Sequence, residues 1–266
     1  MERISSAEHV EGVLTAHQRA VMVDVLAEEG ARREHVVVYL SGARAYGFPS
    51  PDSDLDLKAI HVANTGELLG FELPAPTFDR AEIIAGVEID YTSNELAYAL
   101  SGILAGNGNF IERVLGRMSA ATSPLLDQLR GLAVRSLSRR VHRHYRGFAQ
   151  NQLRFLEKEP TAKKLLYVLR TSTTGIHLLL TGELEPDLTR LMALFDLPDA
   201  ASLVERKRAG ERVGIDPALL ELWRPRIDAL FLRLDQAREE SPLPEHPANE
   251  SELREWLLGV RRARFT

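Results

Sequence analysis

Strand-forming patterns in this chain are confined to residues 35–93, and every pattern beyond them is helical. That segregation predicts an α+β protein: a small mixed sheet, followed by a helical-bundle C-terminal domain. His35-Val-Val-Val-Tyr-Leu40 is a β-branched apolar run of buried-strand length, and it ends in Ser41-Gly42, where a chain can turn sharply. From Asp54 a short alternation becomes apolar and predicts a second strand running through Val62. Glu82-Ile-Ile-Ala, Gly86 and Val87–Tyr91 read as a third strand element or hairpin that ends at Thr92-Ser93. Ahead of the strands, apolar residues from Val10 to Leu26 recur at helical spacing and predict a helix over Ala7–Glu29, capped by Ser5 or Ser6. Behind them, helices are expected over Asn94–Ala105, Asn109–Leu115, Ser123–Glu157, Thr161–Thr181, Pro186–Phe195, Ala200–Ala209, Asp216–Arg238 and Glu250–Arg262. Against a prior of roughly 150 residues per domain, the 266 residues predict two domains, 1–118 and 119–266.

Composition narrows the chemistry. There is no cysteine, which excludes disulfides, thiolate zinc sites, iron–sulfur clusters and a cysteine nucleophile, so any metal must be held by oxygen or imidazole. The first ten residues have no apolar core of a signal peptide, and no apolar run approaches the ~18 residues of a membrane span. The expectation is a cytoplasmic chain with no membrane partner. Net charge is −5, but residues 1–130 carry 10 basic and 19 acidic side chains while 131–266 carry 23 basic and 19 acidic. An acidic half is joined to a basic one, and only the latter suits a polyanionic partner.

The most informative stretch is Leu40-Ser-Gly-Ala-Arg-Ala-Tyr-Gly-Phe-Pro-Ser-Pro-Asp-Ser-Asp-Leu-Asp-Leu-Lys58. A strand leads into the small-residue turn Ser41-Gly42-Ala43, whose backbone N–H groups can approach phosphate oxygens closely. Asp54 and Asp56 follow at i and i+2 of a strand, which puts both carboxylates on one face with Cα atoms roughly 6.6 Å apart. Hard oxygen donors so placed can share divalent cations. Two acids facing a phosphate-binding turn suit metal-assisted phosphoryl or nucleotidyl transfer, and Asp90 supplies a third acid if its strand lies beside that of Asp54, with Glu88 in reserve. A turn with surface acids would account for Ser-Asp-x-Asp alone, because Asp and Ser favour turns. Paired acids opening an otherwise apolar strand argue for the functional reading, since burying unpaired charge is costly.

Gly42-Ala43, a ten-residue spacer and Asp54-Leu-Asp56 resemble the signature of the polymerase-β-like nucleotidyltransferase superfamily. Ser41–Gly47, Ser50–Asp56, Gly106-Asn-Gly-Asn-Phe-Ile-Glu112, Lys163–Arg170 with Thr181-Gly-Glu183, and Glu205–Gly210 are similar to the predicted nucleotidyltransferases linked to bacterial RNA repair, the RNA-ligase-associated group. The resemblance implies a polymerase-β-like palm and a helical C-terminal domain. It implies transfer of a nucleoside monophosphate from an NTP to an acceptor hydroxyl with two Mg2+ or Mn2+ ions and release of pyrophosphate. On this resemblance Asp54, Asp56 and Asp90 are the metal ligands and catalytic acids. Ser41, Gly42, Ala43, Arg44 and Ser53 would hold the triphosphate, with Asn107, Asn109, Lys164, Arg170 and Lys207 as further nucleotide-binding candidates. The implied partners are NTP, RNA and, by pathway, RNA-repair ligase and kinase proteins. Ala43 stands where the superfamily usually has Ser or Gly, which removes a hydroxyl donor worth about 1 kcal/mol.

Other features have competing readings. Asn109 reads as a helix cap with Glu112 at its third position, compatible with a site role. Residues 135–170 hold ten Lys or Arg against two Glu, and Arg139, Arg143 and Arg146 fall at helical spacing with Tyr145 and Phe148 nearby for stacking. That pattern fits an RNA-facing helix or a solvated basic face. His142 and His144, two apart on a helix, point away from each other and make a poor metal pair. The alternatives to RNA tailing or end repair are transfer to a small molecule or protein hydroxyl, and a non-catalytic nucleotide- or RNA-binding module.

Overall fold

The computed structural model describes residues 10, 12–210 and 213–265. In chain order the elements are α1 (Ala16–Arg32), β1 (Glu34–Leu40), α2 (Gly42–Ala45), β2 (Leu55–Val62), α3 (Thr65–Leu68), β3 (Thr77–Ile84), β4 (Val87–Glu95), α4 (Leu96–Leu104), α5 (Gly108–Leu115), β5 (Ser119–Thr122) and α6 (Pro124–Arg135). There follow α7 (Val141–Lys158), α8 (Ala162–Thr181), α9 (Leu188–Leu191), α10 (Ala200–Arg208), α11 (Pro217–Glu240) and α12 (Glu250–Arg262). The fold is α+β, as the patterning predicts. The chain divides into two compact units, residues 1–42, 54–136 and 247–266 in the first, and 43–53 with 137–246 in the second.

The first unit is built on a five-stranded mixed sheet in the order β3-β4-β2-β1-β5. β2 and β4 run parallel, while β1 with β2, β1 with β5 and β3 with β4 are antiparallel. The alternation of β2 explains its two faces: Leu55, Leu57 and Ala59 are buried with Val38, Leu40, Val87, Ile89 and Tyr91 against Val21, Met22, Val25 and Leu26 of α1. The other face carries Asp56 and Lys58. Farther along that face, Arg113 of α5 donates to the Ala59 carbonyl (3.1 Å) and to the Asn94 side chain. The acidic end of β2 remains half-exposed.

Several expectations are corrected. α1 begins at Ala16, because Thr15 and Gln18 form a reciprocal capping box there; Ser5 and Ser6 lie outside the described residues. β5 was not expected: its four small residues show no strand alternation and pair with β1 through tertiary contact. The helix expected over Ser123–Glu157 is broken between Arg135 and Val141, where Ser136 donates to the Leu132 carbonyl (2.9 Å) and to the Asn249 side chain (2.8 Å). The helix expected at Pro186–Phe195 shrinks to α9.

In the second unit α8 is the buried axis, packed against α7, α9, α10 and α11. Gly175 permits the α7–α8 approach, for a Cβ there would lie 2.6 Å from the Tyr145 Cβ. Among the described residues no helix is long and apolar enough to cross a membrane.

Two histidines at the far end of the sheet make stability depend on pH. His35 and His61 are register partners; His35 Nε2 lies 2.7 Å from the Tyr91 hydroxyl and His61 Nδ1 lies 2.7 Å from the Ser93 hydroxyl. Burial lowers both rings to about 4, with Arg33 adding to the effect at each and Glu29 and Glu95 opposing it at His35 and His61 respectively. The unfolded chain therefore takes up these protons first, near pH 6.5, so stability is full above that value and falls as pH drops toward 4. For His61, only 3% exposed, the loss is on the order of 3 kcal/mol. Urea midpoints measured from pH 7 to 4 are expected to fall, and to fall less in a His61→Gln protein.

Candidate active site

The acidic end of the sheet draws on three local features. β1 hands over to the turn at Ser41, whose N–H donates to the Asp56 carbonyl (2.8 Å) and so ties the turn to β2. Gly42 adopts φ +67°, and a Cβ placed on it would stand 1.9 Å from Asp56 Oδ2. Only glycine meets both demands, the left-handed backbone and the absence of a side chain beside the carboxylate. The parallel register sets Asp56 opposite Asp90, so Asp90, and not Glu88, is the direct neighbour.

Asp54, Asp56 and Asp90 are all half-exposed. Lys58, on the same face as Asp56, places Nζ 2.8 Å from Asp90 Oδ1 and within 3.4 Å of the Thr92 hydroxyl. Sequence reasoning did not single out Lys58, although its spacing of two from Asp56 on a strand was a usable signal. The donors are hard carboxylate oxygens, and Gly42 admits the Asp56 carboxylate beside the turn, so the set suits a divalent cation in kind. Asp90 is engaged by Lys58, and among the described residues no three carboxylate or imidazole groups are gathered into a ready ligand set.

Asn107 and Asn109 lie at the start of α5, and the cap is Asn107, not Asn109: its side chain accepts the Asn109 N–H (3.0 Å). Asn107 takes the cap because its backbone is extended while the helix already begins at Gly108.

In the second unit the segment from Ala43 to Ser53 is anchored along its length. Ala43 is buried. Arg44 donates to the Ser53 carbonyl (2.7 Å), and Ser53 Oγ accepts from the Ser50 N–H (2.9 Å) and lies 3.0 Å from Ser50 Oγ. Lys207, with no exposed surface, donates from Nζ to the hydroxyls of Ser50 (2.6 Å) and Ser53 (3.3 Å). Tyr46 and Phe48 meet Tyr167 edge-on, each at 5.7 Å, and the Arg170 guanidinium lies 3.8 Å from the Tyr46 ring centre. The sequence blocks carrying Lys207 and Arg170 thus converge on the segment that leads to Asp54. Lys164 instead pairs with Glu159 (2.5 Å).

Lys207 supports this segment by both packing and hydrogen bonding. A Lys207→Ala protein is expected to lose about 3 kcal/mol through the cavity and the broken hydrogen bonds. Calorimetry should read this as a fall in Tm of roughly 6–12 °C.

The chain is 26% identical over 227 residues to an uncharacterized protein of Methanocaldococcus jannaschii, covering 82% of this chain and 90% of that one. Among solved structures, a nucleotidyltransferase-like protein from Exiguobacterium sibiricum aligns over 92% of this chain and 80% of its own, at 12% identity and a TM-score of 0.34. Residues 18–259 match the family RlaP, and the chain therefore belongs to the RNA repair pathway DNA polymerase beta family.

Proposed function

We propose that the protein is a metal-dependent nucleotidyltransferase that moves a nucleoside monophosphate from an NTP to the 3′ hydroxyl of an RNA and releases pyrophosphate. The observation that supports this most directly is the register of β2 and β4, which sets Asp90 beside Asp56 at the strand end tied to the Gly42 turn. Family membership supports the same chemistry. Asp54, Asp56 and Asp90 would hold two Mg2+ or Mn2+ ions, which supply charge neutralisation for the attacking and leaving oxygens. The acceptor O–H attacks the α-phosphorus, the bond from that phosphorus to the bridging oxygen breaks, and pyrophosphate leaves. Asp90 receives the proton of the acceptor hydroxyl, and Lys58, already paired with it, holds its carboxylate in place. Ser41, Gly42, Ala43, Arg44 and Ser53 form the loop for the triphosphate, while Lys207 and Arg170 keep that loop in shape. Lys164, Asn107 and Asn109 are the further candidates for nucleotide contact. RNA-repair ligase or kinase proteins are the partners such a reaction would have, in the cytoplasm.

The test is incubation of the protein with each labelled NTP, Mg2+ and a pool of RNAs, with pyrophosphate release measured and RNA 3′ ends sequenced. Extension of RNA ends is the expected result. Pyrophosphate release with label on the protein or on a small molecule would redirect the acceptor, and NTP binding with no pyrophosphate release would overturn the enzymatic reading.

A further inference from the structure

The basic segment between residues 135 and 170 is arranged otherwise than its sequence spacing implies. Arg139 precedes α7, and its guanidinium donates to the carbonyls of Leu243 (3.0 Å) and Ser241 (2.7 Å). Arg146 is 3.3 Å from Asp235 and lies over the Phe231 ring at 4.4 Å, His142 is bonded to the same Asp235 at 2.8 Å, and Tyr145 is buried. His142 and Arg146 fasten α7 to α11, Arg139 holds the segment that follows α11, and Tyr145 packs at Gly175 of α8, so these residues are spent on packing. What α7 turns to solvent is a different set: Arg143, Arg154 and Lys158 are exposed, as are Gly147 and Asn151, and so is Arg140, the cap residue just ahead of the helix.

At about 100° per residue these positions form one continuous stripe along the helix. The cations keep to one side and the middle of it, and His144, Phe148 and Phe155 line its other side. The His144 and Phe148 rings are stacked, 5.8 Å between centres and 11° from parallel, and Phe155 is 52% exposed. Glu157, the one acid within α7, is drawn to another flank by Arg224 (3.2 Å). At Gly147 a Cβ would meet nothing, so the backbone itself is open to approach in the middle of the stripe.

We propose that this face of α7 is a binding surface for single-stranded RNA. The proposal rests on the reading that the acceptor is RNA. Cations for a phosphate backbone beside aromatic rings, of which Phe155 is exposed, are the two components of single-strand recognition. A duplex needs the first and makes no use of the second, because its bases are already stacked. A lipid surface would require a broad apolar face, and that of α7 is already buried against α8. The stripe runs about 27 Å.

The test is fluorescence anisotropy of a labelled, unstructured oligoribonucleotide about 12 nucleotides long, titrated with full-length protein without NTP or divalent ion. The Arg143→Gln/Arg154→Gln protein is expected to bind about tenfold more weakly at low salt, with the slope of log affinity against log salt reduced by about 1.4. Phe155→Ala is expected to weaken binding about fivefold to a hundredfold with the salt slope unchanged, because it removes stacking and no charge. All the substituted side chains are on the surface, and circular dichroism confirms folding of each variant. Affinity within twofold of wild type in both variants overturns the proposal, as does tighter binding to phosphatidylserine vesicles that is lost with Phe155. The outcome separates from that of the reaction itself. RNA binding that depends on these residues without any NTP transfer leaves the surface standing and overturns the proposed chemistry. Transfer with an unchanged KM for RNA in the arginine variant does the reverse.

Discussion

Replacing Asp54 or Asp56 with asparagine is expected to lower NTP-dependent pyrophosphate release by at least about a thousandfold. The carboxamide keeps the shape and one oxygen of the carboxylate but not its charge, so what is lost is attraction for a divalent ion and not the fold. Stability should hold or rise slightly, because the change removes one of the negative charges at the end of β2 where Asp56 faces Asp90. Turnover at saturating NTP and Mg2+, with Tm measured on the same samples, checks both halves of the expectation. Turnover within tenfold of wild type would remove these residues from the chemistry. Asp90→Asn is expected to lower turnover alike, with a small loss of stability because it also breaks the ion pair with Lys58.

Gly42→Ala is expected to reduce the same turnover by about a hundredfold, the cost of displacing a reacting group by about an ångström. The added methyl would fall 1.9 Å from Asp56 Oδ2 and 2.9 Å from its Cγ, and the residue would keep a φ of +67°. Either the carboxylate turns away or the turn opens. The left-handed backbone alone costs an alanine about 1 kcal/mol of stability, too little to unfold the protein. The distinguishing measurement is a double-mutant cycle. If Gly42 acts through Asp56, adding Gly42→Ala to Asp56→Asn lowers turnover little further, whereas independent roles would multiply the two losses.

The strands that build the site were legible because His35–Leu40 is a β-branched run that ends in turn residues, and because the stretch from Asp54 to Val62 alternates before it becomes apolar. The hairpin of β3 and β4 was legible from Gly86, although β3 starts at Thr77, five residues before the apolar signal at Glu82. β5 was not, since Ser119–Thr122 carries no periodicity and exists only by pairing with β1. The helical half was legible as helices but not as surfaces. Arg139, Arg143 and Arg146 have helical spacing, yet the helix starts only at Val141, and Arg146 turns toward Phe231 and Asp235. Spacing assigns residues to a face; it does not say which face a neighbouring helix will cover. Similarly, the blocks holding Arg170 and Lys207 could be marked as important, but their attachment to Tyr46, Ser50 and Ser53 is a long-range contact that no local pattern records.

The way the chain passes between its two units has a consequence for its synthesis. The path leaves the first unit at Gly42, returns at Asp54, leaves again after Ser136 and returns at Pro247. The last return brings α12, which supplies Glu252 to Arg135 (2.5 Å) and the Trp256 indole N–H to Gln128 (2.8 Å). A ribosome-bound chain that has emerged only through residue 246 thus lacks a helix of its first unit, while every segment of its second is already present. Completion of the first unit therefore waits for residues 247–266, although all five strands of its sheet lie within residues 34–122, ahead of most of the second unit.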